Sequence, residues 1–132
     1  MLDPIQIQVR FADCDMMGHV NNAVYLNYFE MARMHYFKQL IGTEWDYQKQ
    51  GILLVKNEIV YLKPIFLNDS PKIYLHLIAI GEKSFTFGYK VEVNGEICTK
   101  GSSKLVCFDF KTNRSVKVFP EFIKMFDKLD KK

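Results

Sequence analysis

The chain has 132 residues, 48% of them hydrophobic, and its 18 Lys and Arg against 15 Asp and Glu leave a formal charge of +3. That is one domain of ordinary size, able to bury about two-thirds of the surface it exposes when unfolded, so a core needs neither metal nor disulfide. The charge is too mild to argue for a nucleic-acid partner, and the one basic run is the tail Lys128–Lys132. Cys14, Cys98 and Cys107 are an odd number with no C-x-x-C spacing. This speaks against a disulfide framework or zinc site and fits a reducing compartment. No basic segment followed by an apolar run opens the chain, and no apolar window approaches the roughly 20 residues of a membrane span. A soluble, cytoplasmic protein is the expectation.

In chain order, Ile5, Ile7 and Val9 alternate with Gln6, Gln8 and Arg10, which predicts a half-buried strand. A polar loop follows, and Asn21 or Asn22 is suited to cap a helix from Ala23 to Ile41. Its apolar residues spread beyond one stripe, with Tyr25, Phe29, Ala32, Tyr36 and Leu40 in one row, Val24, Tyr28, Met31 and Met34 on another side, and Leu26 and Phe37 on a third. Such a helix is expected to be buried on most of its circumference. Gly42 ends it. Thr43 to Tyr47 reads as the start of a short second helix with Thr43 as its cap, closed by Gly51. Leu53 to Tyr61 then alternates as a strand until Pro64, Ile73–Ile80 is apolar on both faces like an interior strand, and Phe85 to Val93 alternates cleanly. Asn94-Gly95 is a turn, Ile97 to Phe110 a long final strand, and Pro120 opens a helix carrying Phe122, Phe126 and Leu129.

The register of that hairpin follows from burial. A plain two-residue loop pairs Phe85, Phe87 and Val91 with Lys104, Ser102 and Cys98, whereas one additional residue or a bulge pairs them with Leu105, Ser103 and Thr99. Only the second keeps the apolar face continuous. Gly101-Ser102-Ser103 leaves a shallow place in mid-strand for a helix or ligand to approach. Strands joined by short turns predict an antiparallel sheet, and curling it around the long helix buries both.

Chemistry concentrates in Phe11–Glu30, where Asp13, Cys14, Asp15, Gly18, His19, Asn21 and Asn22 precede the helix. A polar loop feeding a helix N-terminus holds a carboxylate near unpaired backbone N–H donors. Taken singly, these residues also have plainer uses. Asp15 caps a turn, Asp13 shapes the loop, His19 bonds backbone, Asn21 and Asn22 cap the helix, Tyr25 is wall or core, and Glu30 pairs with Arg33 one turn on. A Cys14–His19 nucleophile pair has only sequence adjacency behind it, and Asp13, Asp15 and His19 lack the wider cluster of a metal site.

The run Asp-Cys-Asp-Met-Met-Gly-His-Val-Asn-Asn-Ala-Val-Tyr-Leu-Asn-Tyr-Phe-Glu, residues 13–30, resembles the signature of the 4-hydroxybenzoyl-CoA thioesterase branch of the hotdog-fold superfamily, shared by acyl-CoA thioesterases associated with the Tol-Pal system. The resemblance implies an α+β single hotdog domain over 1–132, a curled antiparallel sheet of about five strands wrapped around a long central helix at about 23–41, and a short C-terminal helix. It implies hydrolysis of acyl-CoA to free acid and CoA. Asp15 is then the catalytic carboxylate, as nucleophile or general base, and backbone N–H groups near Asn22 and Ala23 hold the oxyanion. Gly18 supplies the turn, and His19 and Tyr25 are candidate positioning residues. Lys83, Ser84, Arg114 and Lys117 are the candidate contacts for the CoA phosphates. The resemblance implies no metal and no cofactor, CoA being part of the substrate, and acyl carrier protein thioesters share the pantetheine arm. Members form homodimers or homotetramers with sites between subunits. The alternatives are a non-catalytic acyl-thioester-binding or oligomerising hotdog protein, and a hotdog dehydratase.

Overall fold

The computed structural model describes residues 2–42 and 44–131. In chain order the elements are β1 (Ile5–Gln6), α1 (Val24–Ile41), β2 (Gly51–Tyr61), β3 (Lys72–Ile80), β4 (Ser84–Val93), β5 (Glu96–Asp109), β6 (Arg114–Ser115), α2 (Pro120–Phe126) and β7 (Asp130–Lys131). The sheet runs β1-β3-β4-β5-β2, with β6 added to β5 and β7 to β3. All pairs are antiparallel except β3 with β7. The expected α+β architecture of a curled sheet against a long helix is therefore the one found. Strand β2 lies at one edge, beside β5, although it precedes β3 in the chain.

The predicted hairpin register holds. Phe85, Phe87 and Val91 face Leu105, Ser103 and Thr99, and the shift falls between Val91 and Glu92. Asn94 and Gly95 both take positive φ, 52° and 82°, so the turn itself has two residues and a bulge supplies the offset. The shallow place at Gly101 is where α1 descends. Phe29 stacks flat on Tyr89 with centroids 4.1 Å apart, and a Cβ at Gly101 would lie 2.5 Å from the Phe29 ring.

Three expectations change. Beyond Ile5–Gln6 the first strand leaves the ladder, although Ile7 and Val9 stay buried and Ile7 N–H donates to Pro71 O at 2.8 Å. Thr43 lies outside the described residues, and the segment after it is a turn, because the Asp46 carboxylate accepts the Gln48 N–H and ends any helix there. Helix α1 buries one side: Tyr25, Tyr28, Phe29, Ala32, Arg33, Tyr36 and Phe37 face the sheet, while Leu26 and Met31 are 38% and 49% exposed. The sheet of one chain covers one side of a helix and leaves the other bare.

The C-terminal half of α1 is sealed by aromatics. Phe37 packs against Phe85, Phe87, Phe122 and Trp45, and Pro120 starts α2 so that Phe122 and Phe126 reach this cluster. The N-terminal end of α1 faces the polar loop.

Candidate active site

The loop before α1 folds back on itself. Asp15 N–H donates to His19 O at 3.0 Å, Gly18 N–H to Asp15 O at 3.0 Å, and Asn21 N–H to Asp13 O at 2.9 Å, while Cys14 and Val20 face each other across it. Gly18 makes the turn at φ +88°, a region glycine enters without a steric penalty. The returning limb is anchored to the body by Val20 N–H on Ile65 O and by the pairing of His19 with Phe66. Asp15 and the start of α1 thus share one short closed loop.

The two aspartates differ sharply. Asp13 is buried and accepts bonds from Arg10 N–H at 2.9 Å, from the Arg10 guanidinium at 3.1 and 3.3 Å, and from the Tyr28 phenol at 2.7 Å. Burial pushes its carboxyl up, but the Arg10 N–H, the Tyr28 phenol and the Arg10 guanidinium together outweigh that and hold it below the usual value. Asp13 therefore shapes the loop. A depressed carboxyl stabilises the fold above its unfolded pKa, about 3.9, and the contribution disappears as pH falls through the lower folded value. Asp13→Asn is expected to lose about 1–3 kcal/mol in urea unfolding at neutral pH, with the gap to wild type closing in strong acid. A gap that stays constant with pH would contradict this.

Asp15 keeps one oxygen in reserve. Oδ1 accepts the Met17 N–H at 2.9 Å and stands 3.9 Å from His19 Nδ1, beyond hydrogen-bond length, while Oδ2 has no partner among the described residues. The side chain is 28% exposed, so water reaches it. His19 instead sets its ring edge-on to Phe66. The Cys14 thiol lies toward Arg10 O and is not paired with His19. Among the described residues no three His, Cys, Asp or Glu groups converge as metal ligands.

At the helix terminus the two expected donors separate. Ala23 N–H is taken by Asn21 Oδ1 at 2.9 Å, and Val24 N–H by Asn21 O at 2.9 Å. Asn22 N–H has no partner among the described residues. Asn21 rather than Asn22 thus does the capping, and Ala23 drops out as a donor because its N–H is already engaged. The Asn22 carbonyl accepts the Tyr61 phenol at 2.9 Å, and the Tyr61 ring meets Tyr25 edge-on at 4.9 Å. A cavity of about 250 Å³ opens here, lined by His19, Asn22, Tyr25, Tyr61 and Leu62 among others. Asp15 and Gly18 lie outside that lining. Tyr25 is both core and wall, and burial raises its phenol to about 12, so it stays protonated at neutral pH. Tyr61 was missed in the sequence because nothing local ties a strand-end tyrosine to a helix 39 residues earlier.

Glu30 does reach toward Arg33 one turn on. It is exposed, with Oε2 4.0 Å from Arg33 Nη2, while Arg33 is buried and donates Nη1 to Tyr89 Oη at 3.1 Å and Ser103 Oγ at 3.4 Å. Arg33 Nε is buried with no partner among the described residues.

The phosphate candidates do gather. Lys83 O accepts Cys107 N–H at 2.9 Å, Glu82 O accepts Val118 N–H at 3.0 Å, and β6 sets Arg114 opposite Asp109, so Lys83, Ser84, Arg114 and Lys117 collect around the end of β5. Asp15 is at the other end. The segment after β2 meets Cys98 O, near the start of β5, and Cys107 lies nine residue steps further along that strand, about 30 Å. One chain does not bring the basic group to the carboxylate.

A curled antiparallel sheet with a long helix across it, and a carboxylate loop feeding that helix, define a hotdog domain of the thioesterase kind. The family model of the thioesterase-like superfamily matches residues 9–126, so the chain belongs to that superfamily, the thioester-hydrolase class of enzymes that the resemblance implied. YneP of Bacillus subtilis, provisionally named an acyl-CoA thioesterase, is 30% identical over 132 residues, covering 96% of this chain and 96% of that one. FadM of Escherichia coli strain K12, a long-chain acyl-CoA thioesterase, is 30% identical over 114 residues, 84% of this chain and 86% of its own. A thioesterase of Thermus thermophilus, solved in complex with coenzyme A and Zn, superposes with a TM-score of 0.83 at 32% identity over 94% of this chain and 90% of that one. No helix among the described residues is long and apolar enough to cross a membrane.

Proposed function

We propose that the protein hydrolyses acyl-CoA thioesters to free acid and CoA, with Asp15 as its catalytic carboxylate and Asn22 N–H as oxyanion donor. The observation that carries this reading is one short loop holding two groups unpaired among the described residues: a carboxylate oxygen, Asp15 Oδ2, and an N–H at the start of a long helix. Thioester hydrolysis needs those two groups. A carboxylate takes the proton of attacking water, or itself attacks the carbonyl carbon, and a fixed donor meets the charge that develops on the carbonyl oxygen. As the tetrahedral intermediate collapses, the C–S bond breaks and the thiolate takes a proton, from the Asp15 carboxyl on the base route or from water on the nucleophile route. On the nucleophile route water then cleaves the acyl-Asp15 anhydride to free acid and restores the carboxylate. The helix dipole adds to the field at Asn22. A dehydratase reading asks for a histidine coupled to the carboxylate, and His19 Nδ1 at 3.9 Å is not bonded to Asp15.

The working site takes in a second copy. Strand β2 is a long free edge bearing exposed Leu53, Leu54, Val55, Val60 and Tyr61, the kind of edge proteins cover. Antiparallel pairing of two β2 strands about a two-fold axis reverses one chain against the other. It thereby sets the partner's basic end, with its equivalents of Lys83, Ser84, Arg114 and Lys117, beside this chain's Asp15. Val55→Lys on the edge is expected to yield monomers in sedimentation velocity and to cut acyl-CoA turnover at least tenfold, since a phosphate site in the partner is lost. An active wild-type monomer would remove the second copy from the site.

The function itself is tested by following free thiol released from acyl-CoA of short, long and aromatic acyl groups, with an acyl carrier protein thioester alongside. Release from at least one supports hydrolysis. Binding with no release from any would identify a carrier of acyl thioesters instead.

A further inference from the structure

We propose that Tyr61, on the edge strand β2, is a positioning residue that aims the oxyanion donor; this rests on the thioesterase reading above. Asn22 N–H is useful only if its direction is fixed, because a donor free to swing must be ordered during the reaction. A backbone N–H turns with the planar peptide unit that carries it, here Asn21 C=O–Asn22 N–H, and with the next unit across the Asn22 φ and ψ angles. The carrying unit is pinned through Asn21 O, which accepts Val24 N–H at 2.9 Å. The following one is pinned at both ends: Ala23 N–H donates to Asn21 Oδ1 at 2.9 Å, and Asn22 O accepts the Tyr61 phenol at 2.9 Å. Asn22 N–H, unpaired among the described residues, thus belongs to one pinned peptide unit and adjoins a second that Tyr61 helps to hold.

Of those three restraints only Tyr61 comes from outside the loop. The ring is held edge-on against buried Tyr25, and the strand is fixed to β5 from Gly51 to Tyr61. A rigid sheet therefore steadies a helix end that local bonds alone would leave to fray. Because β2 is also the free edge, a second copy pairing there stiffens the same strand, which couples assembly to the aim of the donor.

Tyr61→Phe removes the hydroxyl and keeps the ring, so the fold is retained. Losing an oxyanion donor outright costs about 10²–10³ in kcat; loosening one is expected to cost about tenfold in kcat, with KM within about twofold. The second readout is amide hydrogen exchange resolved at the bonded amides Ala23 and Val24, expected to quicken several-fold in the variant while core strand amides stay unchanged. A variant with kcat within twofold of wild type overturns the proposal. So does a loss of kcat with unchanged exchange at both amides, which would mean that the hydroxyl meets the substrate directly. Wild type that releases no thiol from any acyl-CoA overturns the thioesterase reading and this proposal with it; active wild type with an indifferent Tyr61→Phe overturns this proposal alone.

Discussion

Asp15→Asn is expected to reduce acyl-CoA turnover by about 10²–10⁴-fold, the range for removing a general base, with little change in stability. The carboxamide is nearly the same size and its oxygen still accepts the Met17 N–H that Oδ1 accepts at 2.9 Å, so the loop keeps its shape. What is lost is negative charge at Oδ2, which has no partner among the described residues to miss it. The measurement is kcat for thiol release, paired with thermal unfolding to show that the variant is folded. The neighbouring aspartate gives the contrast. Asp13→Asn disturbs four bonds that hold the loop, so it should lower stability, and activity only as the loop loosens. Full activity in Asp15→Asn would remove Asp15 from the chemistry.

Gly101→Val is expected to be the most damaging substitution for the fold. Its first added atom would lie 2.5 Å from the Phe29 ring and 3.0 Å from Glu58 O. Neither neighbour has room to give. Phe29 is fully buried and clamped flat on Tyr89, and Glu58 O belongs to the paired strand β2. Overpacking of this kind costs roughly 1–3 kcal/mol and sometimes more. With both neighbours fixed, about 3 kcal/mol or above is the expectation, read as a fall of roughly 10 °C in Tm. Because α1 would have to lift from β5, the Asn22 terminus should move too, and residual activity should drop further than the folded fraction alone explains. An unchanged Tm would mean that α1 does not press on Gly101 in solution.

The sequence was legible wherever a residue's role depends on near neighbours. The hairpin register could be read in advance because only one pairing of Phe85 and Phe87 keeps apolar faces together, and the bulge at Val91/Glu92 delivers it. Gly18 was legible as a turn and Gly101 as a close approach because a residue without a side chain is suited to little else at those places. The helix from 24 to 41 was legible from its apolar content, but its exposed side was not. Leu26 and Met31 are as hydrophobic as core residues, and composition cannot say that one sheet covers only one face.

By itself, then, the sequence determined the two helices, the four long strands, the register of one hairpin and a short stretch in which a carboxylate, a glycine turn and a helix start must be neighbours. Tertiary structure decided which of two adjacent amides is free, since that turns on Asn21 accepting from Ala23 rather than from Asn22. It decided that Tyr61, from a strand 39 residues away in sequence, restrains that amide. It also decided that Lys83, Ser84, Arg114 and Lys117 gather at the end of the sheet opposite Asp15. Periodicity records which side of an element is dry. It does not record which lone pair takes a given proton, or how far along a strand two charged groups come to rest, because those depend on contacts that form only when distant segments pack.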